Sequence, residues 1–366
     1  MTQLITLKDS TTEELFAELT ALHGPAATLR LARQMQSVAV KRRAVGFPDA
    51  LDGVKKTLWA DVRAQARIPH LDLVEKAVAS DDGFAKYLFR GEGPDTFEAV
   101  RIPLMHRPGD EKYIVCVSSQ VGCAAACAFC ATGRLGFRRH LKTWEIVDQV
   151  LKIQADSPHP VRGIVFMGMG EPLFNYQRVM RAAGVLSDPS GAAIDSKAIT
   201  ISTVGIVPMM KRFLAEHKYF RLIVSVHAAT EALRNELVPA NQNYPLPDII
   251  ALLRQHQEAT GKRVNLAWTM MAGVNMGRDQ IVELARLTKG MRLLLDLIPV
   301  NDATGRFRPP TRVELDEFLD MVRAELGCPI VIRYSGGKEV HGACGMLAGK
   351  EISTSKSSNI YPSCVP

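Results

Sequence analysis

From residue 96 to residue 333 the chain alternates between short β-branched or apolar runs and helix-patterned stretches, a pattern that folds as a parallel sheet covered by helices. Strands are expected at Ala99–Ile102, Ile114–Ser118, Gly163–Met167, Ala198–Ser202, Leu222–Val226, Val264–Met270, Leu293–Pro299 and Ile330–Arg333. The helices expected between them are Trp144–Gln154, Tyr176–Leu186, Pro247–Glu258, Asp279–Leu287 and Arg312–Glu325. Right-handed crossovers must link such strands, and this many units in series favour an α/β fold closed fully or partly into a (β/α) barrel. On that fold, chemistry gathers at the carboxyl ends of the strands.

Before Gly91-Glu92-Gly93-Pro94 the text differs. Apolar residues at three- and four-residue spacing in Leu15-Phe16-Leu19-Leu22 and Leu71-Val74-Ala77-Val78 predict helices from Ser10 to Phe89, with no strand. Residues 1–92 therefore read as a small helical accessory domain, 93–349 as the partial barrel and 350–366 as a polar tail. Basic residues recur through the first segment, at Arg30, Arg33, Lys41, Arg42, Arg43, Lys55, Lys56, Arg63 and Arg67. They suit either the solvated face of a helical bundle or a surface that contacts RNA. The whole chain of 366 residues carries a net charge of +7, compatible with a polyanionic partner. With 47% hydrophobic residues it has the apolar content that a disordered chain lacks. Asp9, Glu13, Glu14 and Glu18 interrupt the first residues, unlike a signal peptide, and Asp296 breaks the longest apolar run, so neither export nor a membrane span is expected. Seven cysteines, an odd and sparse number, point to a reducing cytoplasm.

Four of those cysteines are clustered. Cys123-Ala-Ala-Ala-Cys127-Ala-Phe-Cys130 follows the strand expected at Ile114–Ser118, and three thiolates so spaced can wrap one face of a metal centre. Zinc is one candidate, but a structural zinc site wants four ligands and no second Cys pair matches. Three sulfurs with an open fourth position suit a [4Fe–4S] cluster. The spacing, with an aromatic Phe129 before the last cysteine, resembles the radical S-adenosylmethionine (SAM) superfamily. The resemblance implies a SAM molecule held on the cluster and cleaved to a 5′-deoxyadenosyl radical. Other strand ends then become candidate SAM contacts: Gly170 and Glu171 in Met-Gly168-Met-Gly170-Glu171-Pro172, Ser202, Ser225-Val226-His227, and Asn301.

Cys116-Val-Ser-Ser-Gln-Val-Gly-Cys123, Met-Gly-Met-Gly-Glu-Pro-Leu, Ile298-Pro299-Val-Asn301 and Gly342-Ala343-Cys344-Gly345-Met346-Leu347-Ala348-Gly349 together resemble the RlmN/Cfr family of radical methyltransferases that act on adenosine in 23S rRNA, over about Thr96 to Gly349. That resemblance implies that Cys344 carries a methyl group as S-methylcysteine, that Cys116 resolves the adduct through a transient disulfide with Cys344, and that Glu98 accepts the ring proton. It also implies two SAM molecules per turnover, an electron donor such as flavodoxin or ferredoxin, a disulfide reductant, and an RNA substrate, rRNA or else tRNA. A monomer is expected. Arg134, Arg138, Arg139 and Lys142 are candidate phosphate contacts, while Cys328 and Cys364 match no motif. The chain departs from the family at Arg333-Tyr-Ser-Gly336-Gly337-Lys338, where an Arg-Xxx-Arg-Gly stretch is usual. The competing readings are a radical methylase of a small molecule or peptide, and a cluster-stabilised RNA-binding module without turnover.

Overall fold

The computed structural model describes residues 4–105, 108–302 and 304–349; the polar tail and Cys364 lie outside the described residues. Ten strands form one sheet: β1 (Asp72–Val78), β2 (Ala85–Arg90), β3 (Thr96–Leu104), β4 (Lys112–Cys116), β5 (Val161–Phe166), β6 (Ile199–Thr203), β7 (Arg221–Ser225), β8 (Val264–Met270), β9 (Leu293–Pro299) and β10 (Ile330–Ile332). Their order across the sheet follows their order in the chain. β1 to β4 pair antiparallel, and every pairing from β4 to β10 is parallel.

That order shapes the molecule. Each parallel strand is added on the same side of its predecessor, so a right-handed crossover repeated in one direction sends every connecting helix to one face of the sheet. Helix Thr143–Ala155 packs on Tyr176–Ser187, Val207–Ala215 on Leu246–Thr260, and Arg278–Leu287 on Arg312–Leu326. The face without helices becomes the inside of a curled sheet. No pairing joins β1 to β10 among the described residues, so the barrel is partial. Strands and helices expected after residue 96 are present within a few residues of their predicted limits.

The expectation of helix throughout residues 10–89 is corrected. Helices occupy Thr12–His23, Leu29–Gln36 and Lys56–Ala64, but the Leu71-Val74-Ala77-Val78 stretch lies in and beside β1, which pairs with β2 as a hairpin. β1 is an edge strand with Leu73, Val74 and Val78 exposed, so its apolar spacing reports no buried helix face. The turn Asp81-Asp82-Gly83, with Gly83 at φ +71°, was the available hairpin signal. Because β2 pairs with β3, the sheet runs on across residue 92.

A buried ion pair anchors the N-terminal segment. Lys8 Nζ lies 2.7 Å from Asp148 Oδ1 on helix Thr143–Ala155, with both side chains almost wholly inaccessible, and Asp148 Oδ2 accepts the Leu71 N–H at 2.7 Å. Burial lowers the Lys8 pKa, and the Asp148 carboxylate opposes that shift. Asp148→Ala leaves an ammonium buried without its partner and is expected to cost about 3–5 kcal/mol, measured by urea unfolding. A loss under about 1 kcal/mol would show that the pair does not anchor this segment.

Candidate active site

The three clustered cysteines sit in a loop whose ends are clamped together. Gln120–Gly122 pairs antiparallel with Phe137–His140, and the Cys123 N–H donates to Gly136 O at 2.9 Å. Gly122 has φ +71°, and a Cβ there would lie 1.8 Å from Gly136 O, so the closure demands glycine. Gly133 presses on the Cys127 backbone in the same way. Cys123 and Cys127 are buried and Cys130 half-buried. Burial pushes the Cys123 thiol up to about 12 and Cys127 well above its ordinary value, and the neighbouring thiols add to both shifts. A cation is therefore needed to draw off their protons. Among the described residues, no three Cys, His, Asp or Glu side chains converge tightly enough for a single metal ion. A [4Fe–4S] cluster needs a looser arrangement, because each thiolate binds a different iron, and three neighbouring thiols on one loop fit it.

The candidate SAM edge surrounds this loop. Gly168 and Gly170, after β5, permit a close approach, and the approach seen is to the chain's own segment 117–120: a Cβ on Gly168 would lie 2.6 Å from Val117 O, and one on Gly170, at φ +97°, 2.5 Å from Gln120 Cβ. Glu171 is buried, its Oε1 accepting the Leu173 N–H and its Oε2 the Val204 N–H, each at 2.9 Å. It thus ties the end of β5 to the end of β6. Burial raises its pKa to about 7 against the opposing pull of those N–H groups. Ser202 and Ser225 stand side by side on β6 and β7 with Oγ atoms 3.2 Å apart.

Val226 and His227 follow β7. His227 adopts φ +62° and accepts the Thr269 N–H on Nδ1 at 2.9 Å, which leaves its proton on Nε2. Burial, with the Arg234 charge second, lowers its pKa to about 3, so the ring is neutral. It packs edge-on against Phe129, beside Cys130, with ring centroids 4.8 Å apart. In the sequence nothing distinguishes Arg234 from the other arginines. In the structure it is fully buried and donates to Val204 O, Ser225 O, Val226 O and Asn241 Oδ1, joining the loops after β6 and β7.

The segment after β10 lies across these loops. Ala131 N–H donates to Gly345 O at 2.7 Å and the Thr132 hydroxyl to Leu347 O at 2.5 Å, while Asn301 Nδ2 donates to Ser335 Oγ at 2.5 Å and to Cys344 O at 3.3 Å. Cys344 and Cys116 consequently line one cavity of about 490 Å³, with Cys116 buried and Cys344 open to the space. The protein around the cavity desolvates both thiols and raises their pKa, even though Cys344 presents its surface to that space; Cys344 adds to the shift on Cys116, and Arg333 pulls Cys344 downward. Glu98, on β3, is buried. Its Oε1 pairs with Lys86 at 3.0 Å and its Oε2 accepts the N–H groups of Ala348 and Gly349, and it does not line the cavity. Each candidate phosphate contact already has a carboxylate: Arg134 pairs with Asp302, Arg138 with Asp95, Arg139 with Glu145 through two hydrogen bonds, and Lys142 with Glu92. Half-buried Arg139 is therefore a structural residue.

An open α/β barrel bearing a three-thiol loop beside its strand ends defines a radical SAM enzyme. The radical SAM superfamily profile matches residues 117–287. A crystal structure of a radical SAM methyltransferase from Sphaerobacter thermophilus superposes with a TM-score of 0.81 at 35% identity, covering 94% of this chain and 99% of that one. A "Probable RNA methyltransferase" of Myxococcus xanthus (strain DK1622) is 43% identical over 94% of both chains. The "Dual-specificity RNA methyltransferase RlmN 1" of the same organism is 37% identical over 86% of this chain and 87% of its own. The chain belongs to the RlmN-type family of radical SAM methyltransferases. Gly122→Ala is expected to cut iron bound per chain after anaerobic reconstitution at least several-fold while far-UV circular dichroism is retained. Full iron loading would contradict the clash at Gly136.

Proposed function

We propose that this enzyme methylates an adenine ring carbon of RNA, ribosomal RNA in the first instance, with Cys344 as the carrier of the methyl group. The observation that carries the reading is the placement of Cys344 and Cys116 in one cavity beside the cysteine loop. A methylase acting by direct transfer needs no pair of thiols there. The names of the relatives support RNA as the substrate. The exposed Arg30, Arg33, Lys41, Arg42, Arg43, Lys55 and Lys56 make the N-terminal segment the proposed RNA-facing surface.

Cys123, Cys127 and Cys130 would hold the cluster, and Gly170, Glu171, Ser202, Ser225, Val226, His227 and Asn301 would line the SAM site. Cluster and SAM, when bound, supply the one-electron chemistry that an unreactive adenine carbon requires. Neutral His227 offers an N–H without bringing a charge to the site, and Glu171 and Arg234 keep the strand-end loops in place. Cys344 takes its methyl group as the thiolate, which Arg333 favours. After the methyl carbon has bonded to the base, Glu98 accepts the ring proton once the amides of 348 and 349 release it, and Cys116 attacks the Cys344 sulfur. The carbon–sulfur bond breaks with its electron pair leaving on the methylene carbon, which takes up a proton to become the product methyl group, and a Cys116–Cys344 disulfide remains that a reductant must return to two thiols. Two SAM molecules per turnover and a flavodoxin- or ferredoxin-type electron donor complete this proposal, with the enzyme acting as a cytoplasmic monomer.

Incubation of reconstituted enzyme with methyl-labelled SAM, reductant and rRNA, followed by nucleoside mass spectrometry, should yield a labelled methyladenosine. Label confined to Cys344 would move the substrate to a small molecule or peptide. Cys344→Ala should yield no methylated RNA, and Cys116→Ala should accumulate a covalent RNA–protein adduct on denaturing gels; clean product from either variant contradicts its assigned role. Because desolvation by the protein around the cavity raises the Cys344 pKa, its S-methylation rate should keep climbing from pH 7 to pH 9. A plateau by pH 7 would mean that the acceptor thiol is already ionised there.

A further inference from the structure

The cavity shared by Cys116 and Cys344 is walled largely by apolar side chains, among them Ile102, Ile114, Val165, Met167 and Ile298. Asp296 breaks that wall. In the sequence it appeared only as the interruption of an apolar run; in the structure it lies on β9 between Ala267 of β8 and Val331 of β10, and is 2% exposed. Its Oδ2 accepts Nε of Arg333 at 3.1 Å and a terminal nitrogen of Arg333 at 2.5 Å, whereas its Oδ1 has no hydrogen-bond partner. A buried carboxylate oxygen without a partner is costly, and here it stands at the wall of a cavity of ligand size. The donor it lacks is one that a ligand can bring. Arg333 lines the same cavity, partly exposed, with further N–H groups.

We infer that Asp296 and Arg333 read the amine edge of the adenine presented to Cys344, an inference that rests on the RNA adenine reading above. Asp296 Oδ1 accepts an N–H of the 6-amine, and Arg333, oriented by Oδ2, donates to the ring nitrogen beside that amine. Adenine offers this donor next to an acceptor, whereas guanine would set a carbonyl oxygen against the carboxylate. The small Ala267 side chain beside Asp296 leaves room for a flat ring. The same adenine edge is also present in SAM. The cavity contains both thiols but none of Cys123, Cys127, Glu171, Ser202 or Ser225, which assigns the pair to the RNA base.

The test uses reconstituted full-length enzyme and synthetic RNA stem-loops carrying, at the adenosine that mass spectrometry identifies as methylated, either adenosine or purine riboside, which lacks the 6-amine. Wild type should favour adenosine by about 10- to 100-fold in kcat/KM. In Asp296→Ala that preference should fall to near unity, and Asp296→Glu should restore part of it. A merely structural role lowers the rate on both RNAs and leaves their ratio intact, which would overturn the inference. So would an unchanged ratio accompanied by a raised KM for SAM, which would assign the pair to the cofactor's adenine. If wild type methylates neither RNA but still methylates Cys344, the RNA reading itself fails, and this inference with it.

Discussion

The site depends on the segment from Arg333 to Gly349 being held across the strand ends of a sheet that does not close on itself. β10 ends one side of the barrel, and the chain then returns over the opening to reach β3 and β4. Four groups of contacts hold its backbone: Gly345 and Leu347 to the cysteine loop, Cys344 O to Asn301 after β9, Ala348 and Gly349 to Glu98 on β3, and Gly337 to Asp82 in the β1–β2 turn, while the side chains of Arg333, Ser335 and Glu339 add bonds to Asp296, Asn301 and Ser80. Each of the four groups bonds the segment's own backbone, so position is set mainly by the path of the chain rather than by a flexible side chain. Cys344 is thereby placed among Cys116, Cys130 and Arg333, all of which bear on its thiol or receive its influence.

Burial governs the electrostatics around that placement. It keeps thiols protonated, holds His227 neutral and lifts Glu171 to about 7, so the protein stores little net charge at the strand ends. The exception is Arg234, whose guanidinium is solvated by three backbone carbonyls and an amide instead of water. A cluster and SAM therefore enter a site where each charge they bring meets low screening, and the buried Arg234 cation lies beside Cys127.

β5 to β9 were legible because parallel strands in the interior of the sheet are largely buried and read as apolar runs. The cysteine loop was legible because its spacing is local. β1 was not, because an exposed edge strand carries no burial signal and its chance spacing imitates a helix. Glu98 and Cys344 entered only through resemblance to a family, and nothing local showed Glu98 to be buried against Lys86. Arg234 and Asp296 look like ordinary charges in the sequence; what distinguishes them is tertiary burial. The arginines after the cysteine loop show the converse, since their charge was visible while their partners Asp302, Asp95 and Glu145 were not.

The central claim is that Cys116 and Cys344 face each other across one cavity. It is tested most directly by mild oxidation of cluster-loaded enzyme without RNA, followed by alkylation, digestion and mass spectrometry of unreduced peptides. A Cys116–Cys344 disulfide as the dominant cross-link is the predicted result. Cys344 recovered as free thiol, or paired with Cys328, would contradict the account.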